Sequence, residues 1–376
     1  MGSRLLLRQV SSELRYRLTG RPRRSVDPFR IRGSGASVPG VVLSSHPLII
    51  ATASTAEYPL GLASVLGRTM AERDALFVIY PTWTSEGDPL RAWKAVQRVR
   101  FYRRRFPRHR ILLLVNTETE AEMLRRFGGE QLLAHQNVFI DEAVFRPLPD
   151  ASREFDAVLN AKMSPFKRHA LASEVPRLAV ISFNDHLLKG TSHEAYPASV
   201  RRALPGATFV NDLVASPGQM IPRPEVNRWL NRAAVGLMLS AEEGGNFAST
   251  EYLLAGLPVV STASIGGRDR YFAVADCIIC AADPRRIAGA AAALKARDIP
   301  RDRVRARVLA LIERDRVSFE AGVLAAARSL PDGDKARLDM RKIKLLPEWR
   351  PLAELRSELG DLLNPAHPGS GRSGRG

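Results

Sequence analysis

The chain has 376 residues, 45% hydrophobic and 25% charged, a balance that builds packed cores and excludes a disordered or fibrous protein. No apolar run is long enough for a membrane-spanning helix, and the two cysteines exclude a disulfide scaffold or a four-cysteine zinc site. The net charge of +17 is local: Met1–Gly33 carries nine Arg against two acids, and Arg91–Arg110 carries nine Lys or Arg with no acid.

The first residues, MGSRLLLRQV, lack the apolar stretch of a secretory leader, so a cytoplasmic protein is expected, peripheral on a membrane where its cations meet one. Residues 1–40 read as a basic arm. Leu6, Val10, Leu14 and Leu18 recur at steps of four, so Ser3–Thr19 forms either an amphipathic helix or a disordered segment. From residue 41 strands and helices alternate. Pro47–Thr52, Ala75–Tyr80, Ile111–Val115 and Asn137–Asp141 read as strands, and Leu60–Met70, Leu90–Phe106 and Glu118–Phe127 as helices. Phe145–Ser152, with two prolines and no periodicity, reads as the linker closing a first domain of residues 41–150.

Alternation resumes in a second domain, residues 151–330. Its predicted strands are Asp156–Asn160, Leu178–Ser182, Thr208–Val210, Val235–Leu239, Val259–Thr262 and Cys277–Ala281. A helix begins at Lys167–Ser173, and others span Pro197–Leu204, Arg223–Ala234, Ser249–Ala255 and Pro284–Ala296. Residues 331–364 read as a linker and a C-terminal helix at Leu352–Leu363, and residues 365–376 as a disordered tail. Two successive units of this kind predict an α/β protein of two doubly wound, Rossmann-like domains facing a cleft, with ligands beyond the carboxyl ends of the strands.

Chemistry concentrates in Val235–Ser261. A buried strand ends at Ser240, a loop holds Glu243, Gly244, Gly245 and Asn246, and a short helix follows through Phe247 and Ala248 to Gly256. Glycines allow close backbone approach, and a helix start offers unpaired N–H donors with partial positive charge, which suits a phosphate. Glu243 and Glu251 flank that site, and carboxylates there accept hydrogen bonds from ligand hydroxyls. A sugar nucleotide has hydroxyls on both sides of a diphosphate. The bland alternative is a solvated helix residue and a loop charge.

The run from Glu243 through Glu251 to LLAGLPVVST resembles the signature of family 4 (group 1) retaining glycosyltransferases, which have the GT-B fold. Gly244, Gly245, Phe247, Ala255, Gly256, Leu257, Pro258, Val259 and Val260 fit it, although Gly-Gly-Asn-Phe stands where the family commonly has Phe-Gly. Lys162 and Lys167, after the strand that opens the second domain, occupy the place of the family's Arg-x4-Lys pair, with Lys for Arg. Asn137–Phe145 stands at the family's interdomain crossover, and Gly61 lies in a first loop that usually has paired glycines.

The resemblance implies transfer of a sugar from a nucleotide diphosphate donor to a hydroxyl acceptor with retention, a hexosyltransferase-like activity in glycan or polysaccharide synthesis. Lys162 and Lys167 then stabilise the departing diphosphate, helped by backbone N–H groups of Gly245 to Ala248. Glu243 orients the donor sugar, and Glu251 holds the ribose. No cofactor or metal is implied, the nucleotide-sugar being a substrate. The acceptor is a glycan or a lipid-linked molecule, and an anionic membrane surface is a further expected partner.

Other signals are weaker. Cys277 and Cys280 read as small hydrophobes in a strand, and Asp332-Gly-Asp334 lies outside any strand end. His46, His135 and His193 stand in loops or near strand ends with no metal-ligand spacing. Arg91–Arg110 reads as a helix with Ala92, Ala95, Val96, Val99, Tyr102 and Phe106 on one stripe and cations over the other face, either a docking surface for anionic lipid or a solvated face. No nucleic acid is expected, because no aromatic-glycine RNA signature accompanies the cations. The alternatives to an enzyme are a non-catalytic GT-B-like protein that binds a nucleotide or glycan and, further off, a basic RNA-binding protein.

Overall fold

A computed structural model of the chain describes residues 3–33, 37–185, 192–216 and 218–360, with the side chains among them except those of residues 3–9, 192 and 193. In chain order the elements are α1 (Ser3–Thr19), β1 (Ser37–Ser45), β2 (Leu48–Ser54), α2 (Leu62–Leu66), β3 (Ala75–Pro81), α3 (Pro89–Arg105), β4 (His109–Val115), α4 (Glu118–Arg125) and β5 (Gln131–Leu133). Then come β6 (Phe155–Asn160), β7 (Leu178–Ile181), α5 (Ser192–Ala203), β8 (Thr208–Phe209), α6 (Val210–Val214), α7 (Arg223–Asn231), β9 (Ala233–Met238), α8 (Phe247–Leu254), β10 (Val259–Thr262) and β11 (Cys277–Cys280). The chain continues through α9 (Pro284–Ala296), α10 (Arg301–Ala327), β12 (Trp349–Pro351) and α11 (Leu352–Leu359).

These elements form two units. One comprises the described residues of Met1–Phe139 and Asp315–Gly376, the other Ile140–Arg314. Each contains a six-stranded sheet.

The second unit's sheet is entirely parallel, in the order β11-β10-β9-β6-β7-β8. The chain therefore starts in the middle at β6, winds outward to β8, returns to β9 beside β6 and winds out the other way. That reversal falls between β6 and β9, and open α/β sheets bind ligands at the carboxyl ends of the strands at such a point. Alternate strand residues feed opposite faces. Val158, Ile181 and Val259 pack with Trp229 of α7, Tyr252 of α8 and Val304 of α10. Leu159, Val180 and Leu237 pack with Val200 of α5 and Ile287 of α9.

The first unit's sheet runs β12-β1-β2-β3-β4-β5, with β2 to β5 parallel and β1 antiparallel to both its neighbours. Its parallel strands follow one another without reversal, so the right-handed crossovers put α2, α3 and α4 on one face. Ile50, Phe77 and Leu113 pack there with Ala63, Val96 and Leu124. The other face, with Ile49, Val78 and Leu112, is covered by Phe319 and Val323 from the latter part of α10 and by Ile343. Both sheets are thus covered on two sides, but only the second has the reversed order within its parallel strands.

Several boundaries differ from the sequence reading. The unit boundary falls at Phe139/Ile140, inside the Asn137–Phe145 stretch, and the second boundary falls within α10, at Arg314/Asp315. Phe145–Ser152 is no free linker, because Asn227 and Asn231 of α7 bind its backbone at Arg146 and Leu148 with bonds of 2.8–3.1 Å. Gln136–Phe139 forms a 3-10 turn where a strand is predicted, and Pro165–Lys167 and His169–Ala172 form 3-10 turns at the predicted helix start. Four unpredicted elements complete the first unit: β1, β5, β12 and the Asp315–Ala327 part of α10. The predicted tail lies outside the described residues. The C-terminal helix packs Leu352, Leu355 and Leu359 into the first unit's core.

The arm is a helix seated on α3. Tyr16 lies 4.8 Å from the Phe101 ring, and Arg104 donates to both oxygens of Glu13 at 3.1 and 2.9 Å. Helix α3 buries Ala92, Val96, Val99 and Tyr102 on the predicted stripe, with Trp93 and Phe101 added. Most cations of the Arg91–Arg110 run are engaged within the unit. Arg103 and Arg110 pair with Glu130 at 3.0 and 3.2 Å, Arg91 with Asp88 at 3.4 Å, and Arg98, Arg100 and Arg108 donate to the carbonyls of Ser25, Phe127 and Glu72.

Candidate functional site

The carboxyl end of β6 leads through Ala161 and Lys162 into the 3-10 turn that holds Lys167. The carboxyl end of β9 leads through Leu239 and Ser240 to Glu243 and then to α8. These segments leave the sheet on either side of the strand-order reversal, and Lys167, Arg168 and Asn160 link the first to the second, Arg168 also reaching the end of β10. The Lys167 ammonium forms an ion pair with Glu243 Oε1, both side chains being nearly buried. Arg168 Nε donates to the Leu239 carbonyl at 2.5 Å and Nη2 to Thr262 Oγ1 at 2.6 Å. The Asn160 amide donates through its backbone to Tyr252 Oη at 2.6 Å and through Nδ2 to Glu251 Oε2 at 3.1 Å.

Each position has a local cause. Arg168 adopts a left-handed backbone, φ 52°, which ends one 3-10 turn, starts the next and turns its side chain across the ends of β9 and β10. His169 is buried against Ala161: Tyr196 Oη lies 3.1 Å from Nδ1, and the Ala161 carbonyl lies 3.3 Å from Nε2. Burial holds its imidazole down at about 4, so it is neutral near pH 7 and clamps the loop without adding charge. Helix α8 can lie on β9 because Gly236 lacks a side chain; a Cβ there would stand 2.5 Å from the Tyr252 ring.

The loop conformation differs from the expectation for Gly244 and Gly245. Both are buried, and the positive φ in the loop, 52°, belongs to Asn246, which caps α8 by accepting from the Ser249 amide at 3.1 Å. One helix-terminal donor is therefore already taken by a side chain. Phe247 and Ala248 pack partly into the unit's core.

The charges are paired. Lys162 Nζ lies 3.1 Å from Asp185, which is 4% exposed, and both Lys162 and Lys167 lie over the Phe166 ring, 5.3 and 5.1 Å from its centre. Burial lowers the Lys167 pKa, and Glu243 opposes that shift. Arg268 is wholly buried beneath the loop, donating to the Ser240 carbonyl at 2.6 Å, Ser261 Oγ at 2.7 Å and the Thr262 carbonyl at 2.5 Å. It fastens the ends of β9 and β10 together.

Glu251 is the most perturbed acid. Desolvation pushes its carboxyl up to about 7, against the opposing influence of Arg223 and the Asn160 hydrogen bond. A buried carboxyl with one neutral donor gains from further donors, which a vicinal diol supplies.

The structure thus brings Lys167 and Glu243 into direct contact, ties Arg168 to the ends of β9 and β10, and ties Glu251 to the end of β6. Lys162 instead meets Asp185. Sequence reasoning missed Asn160, Phe166, Arg168, His169, Asp185, Tyr252 and Arg268; Phe166 and Arg168 flank the flagged Lys167 and Tyr252 follows the flagged Glu251. His46 is exposed at the turn between β1 and β2, His135 is buried with Nδ1 accepting from the Asn137 amide at 3.2 Å, and the His193 side chain lies outside the described residues. Cys277 is buried, and its thiol is pushed up to about 12. Asp332 pairs with Lys335 at 2.8 Å in an exposed turn. Among the described residues no group of three His, Cys, Asp or Glu is placed to hold a metal, and no helix is long and apolar enough to cross a membrane.

No family model matches the chain, and no curated protein does. Among solved structures it is similar to a sucrose-phosphate synthase from Thermosynechococcus elongatus, at 17% identity over 68% of this chain and 67% of that one, TM-score 0.49. It is also similar to HepE from Anabaena in complex with UDP, at 13% identity over 79% and 75% of the chains, TM-score 0.48. A third is the UDP-forming α,α-trehalose-phosphate synthase from Burkholderia vietnamiensis, at 10% identity over 69% and 70%, TM-score 0.45.

Proposed function

We propose that the chain is a nucleotide-sugar glycosyltransferase of the GT-B type, with its donor site at the strand-order reversal of the second unit. The observation that carries this reading is the Lys167–Glu243 ion pair, which joins the two predicted site segments at the carboxyl ends of β6 and β9. The donor diphosphate takes Lys167 and Lys162 as partners in exchange for Glu243 and Asp185. Glu243, released, accepts hydrogen bonds from the sugar hydroxyls. Glu251 accepts from the ribose diol, whose donors favour its ionised form.

Transfer breaks the bond between the anomeric carbon and the diphosphate and makes one to the acceptor oxygen, whose proton passes to the leaving diphosphate. Negative charge grows on the diphosphate in the transition state, so buried cations fixed beside it lower the barrier. Retention of configuration is the outcome the Glu243–Glu251 segment favours by resemblance. A binding protein without turnover is the second reading, favoured by one observation: in this structure both lysines are already neutralised by carboxylates.

A panel of labelled nucleotide sugars tests both readings. The enzyme reading expects thermal stabilisation by one donor and slow release of its sugar to water or acceptor. Stabilisation without release over long incubation supports the binding protein, and no stabilisation by any nucleotide overturns both.

A further inference from the structure

Helix α1 is amphipathic, but its apolar stripe is not the face it uses to pack. Successive residues turn by about 100° around a helix, which puts Ser12 and Tyr16 about 160° from Leu14. Ser12 is 1% exposed, and Tyr16 packs on Phe101, so that side seats the helix on α3. Val10, Leu14 and Leu18 point the other way and are 58%, 55% and 75% exposed. The seat itself is polar as well as aromatic: Glu13 is held by Arg104, whose guanidinium also lies 5.1 Å from the centre of the Tyr16 ring. The helix is therefore fixed to the unit with a row of branched aliphatic side chains facing outward.

Charge says what covers that row. Arg15 and Arg17 stand on the two flanks of the stripe, and Arg21, Arg23 and Arg24 follow the helix end, all exposed. Glu13 is the one acid of α1, and it is paired with Arg104 and, at 3.6 Å, with Arg17. Exposed aliphatic groups ringed by arginines match a surface that is apolar inside and anionic outside. By contrast, α3 has most of its cations committed to acceptors within the unit and its apolar residues buried.

We propose that α1 docks the protein onto an anionic lipid surface, with Val10, Leu14 and Leu18 inserted among the acyl chains and the arginines at the headgroups. A helix of this kind lies in the interface with its apolar face about 5–10 Å deep, and its binding combines apolar burial with attraction to anionic lipid. The electrostatic part is screened over roughly 8 Å at physiological ionic strength, the apolar part much less. The proposal does not depend on the donor-site reading.

Flotation of the full chain with phosphatidylcholine vesicles, with and without phosphatidylserine, tests it. The chain is expected to float with the phosphatidylserine vesicles and to be retained partly in high salt. Replacing Val10, Leu14 and Leu18 with Gln removes about tenfold or more of the bound fraction while the melting temperature is unchanged, because these side chains touch solvent. Arg15→Gln with Arg17→Gln weakens binding to the phosphatidylserine vesicles alone, and Arg103→Gln with Arg105→Gln leaves flotation near the wild-type level. Absence of flotation, or flotation equally strong in the Gln triple variant, overturns the proposal. So does a wild-type chain that stays with the lipid-free fraction but forms a dimer which the triple variant does not, since the stripe then covers a second copy.

Discussion

The two units build similar sheets by opposite windings. In the second, the chain begins at the central strand and reverses, so two loops leave the same end of neighbouring strands and meet through Lys167 and Glu243. In the first, β2 to β5 are laid down in order, and the corresponding loops have no reversal to converge on. Buried polar groups occur in both: the first unit buries Glu120, which accepts from the Ser85 and Asn116 amides at 2.7 and 2.9 Å. The first unit's Tyr102 and His109 meet at 2.7 Å beneath α3, with His109 Nε2 2.9 Å from the Met70 carbonyl, a closed arrangement that holds strand to helix. The second unit holds the Lys167–Glu243 pair and the wholly buried Arg268 beside its strand-order reversal. Buried ionic groups are costly to a fold, and concentrating them at a reversal point is a mark of function more than of stability.

The sharpest way to break that contrast is to remove Lys167. Lys167→Ala leaves the buried Glu243 unpaired and, in the proposed function, takes a cation from the leaving diphosphate, so a loss of about 10²–10³ in turnover is expected. Steady-state assays of sugar transfer check this; a change smaller than fivefold would place the chemistry elsewhere. Glu251→Ala is next. It should weaken nucleotide affinity about tenfold or more, since hydrogen bonds to a charged acceptor contribute roughly 1.5–3 kcal/mol each. Glu243→Ala should lower turnover with nucleoside diphosphate affinity nearly intact, and equal effects of the two variants on nucleotide binding would contradict the separate roles.

The pH dependence sharpens the comparison further. The Glu251 carboxyl ionises at about 7 in the fold, against an ordinary value of 4.5. Between those values the folded chain holds a proton that the unfolded chain has lost, so this group's contribution to stability falls as the pH rises from 4.5 through 7. Glu251→Gln should therefore melt at a higher temperature than wild type at pH 8. A nucleotide sugar whose diol donates to the ionised carboxylate should bind about tenfold tighter at pH 8 than at pH 6, and the Gln variant should flatten that profile. Smallest is the change in the first unit: Tyr102→Phe should cost about 1 kcal/mol of stability in chemical denaturation and leave nucleotide binding unaltered.

The alternation of short apolar strands with helices was legible because strand and helix periods differ, and the second unit's strands fall within a residue or two of the reading. Elements that depend on tertiary partners were not. Strand β1 contains Ser37, Pro39 and Gly40, which read as a loop; Gly40 is there because a Cβ would meet the Leu62 side chain at 2.2 Å. Helix α10 hides its core positions, Val304, Val308 and Ile312, then Phe319 and Val323, among many charged residues. At the site, the glutamates and lysines stood out through the resemblance of their segments to a glycosyltransferase signature, their spacing alone being that of solvated charges. Asp185 and Arg268 come from other segments, and no local pattern marks them. Asn246 was legible as a loop residue but not as the one that takes the left-handed turn between two glycines and a helix.

In the proposed function, Lys167 and Glu251 serve one nucleotide diphosphate site in the second unit. Isothermal titration of nucleoside diphosphates into wild type, Lys167→Ala, Glu251→Gln and Tyr102→Phe tests it directly. One nucleotide is expected to bind wild type and Tyr102→Phe with equal affinity, and the other two about tenfold or more weakly. Binding that is the same in all four chains, or lost only in Tyr102→Phe, would contradict it.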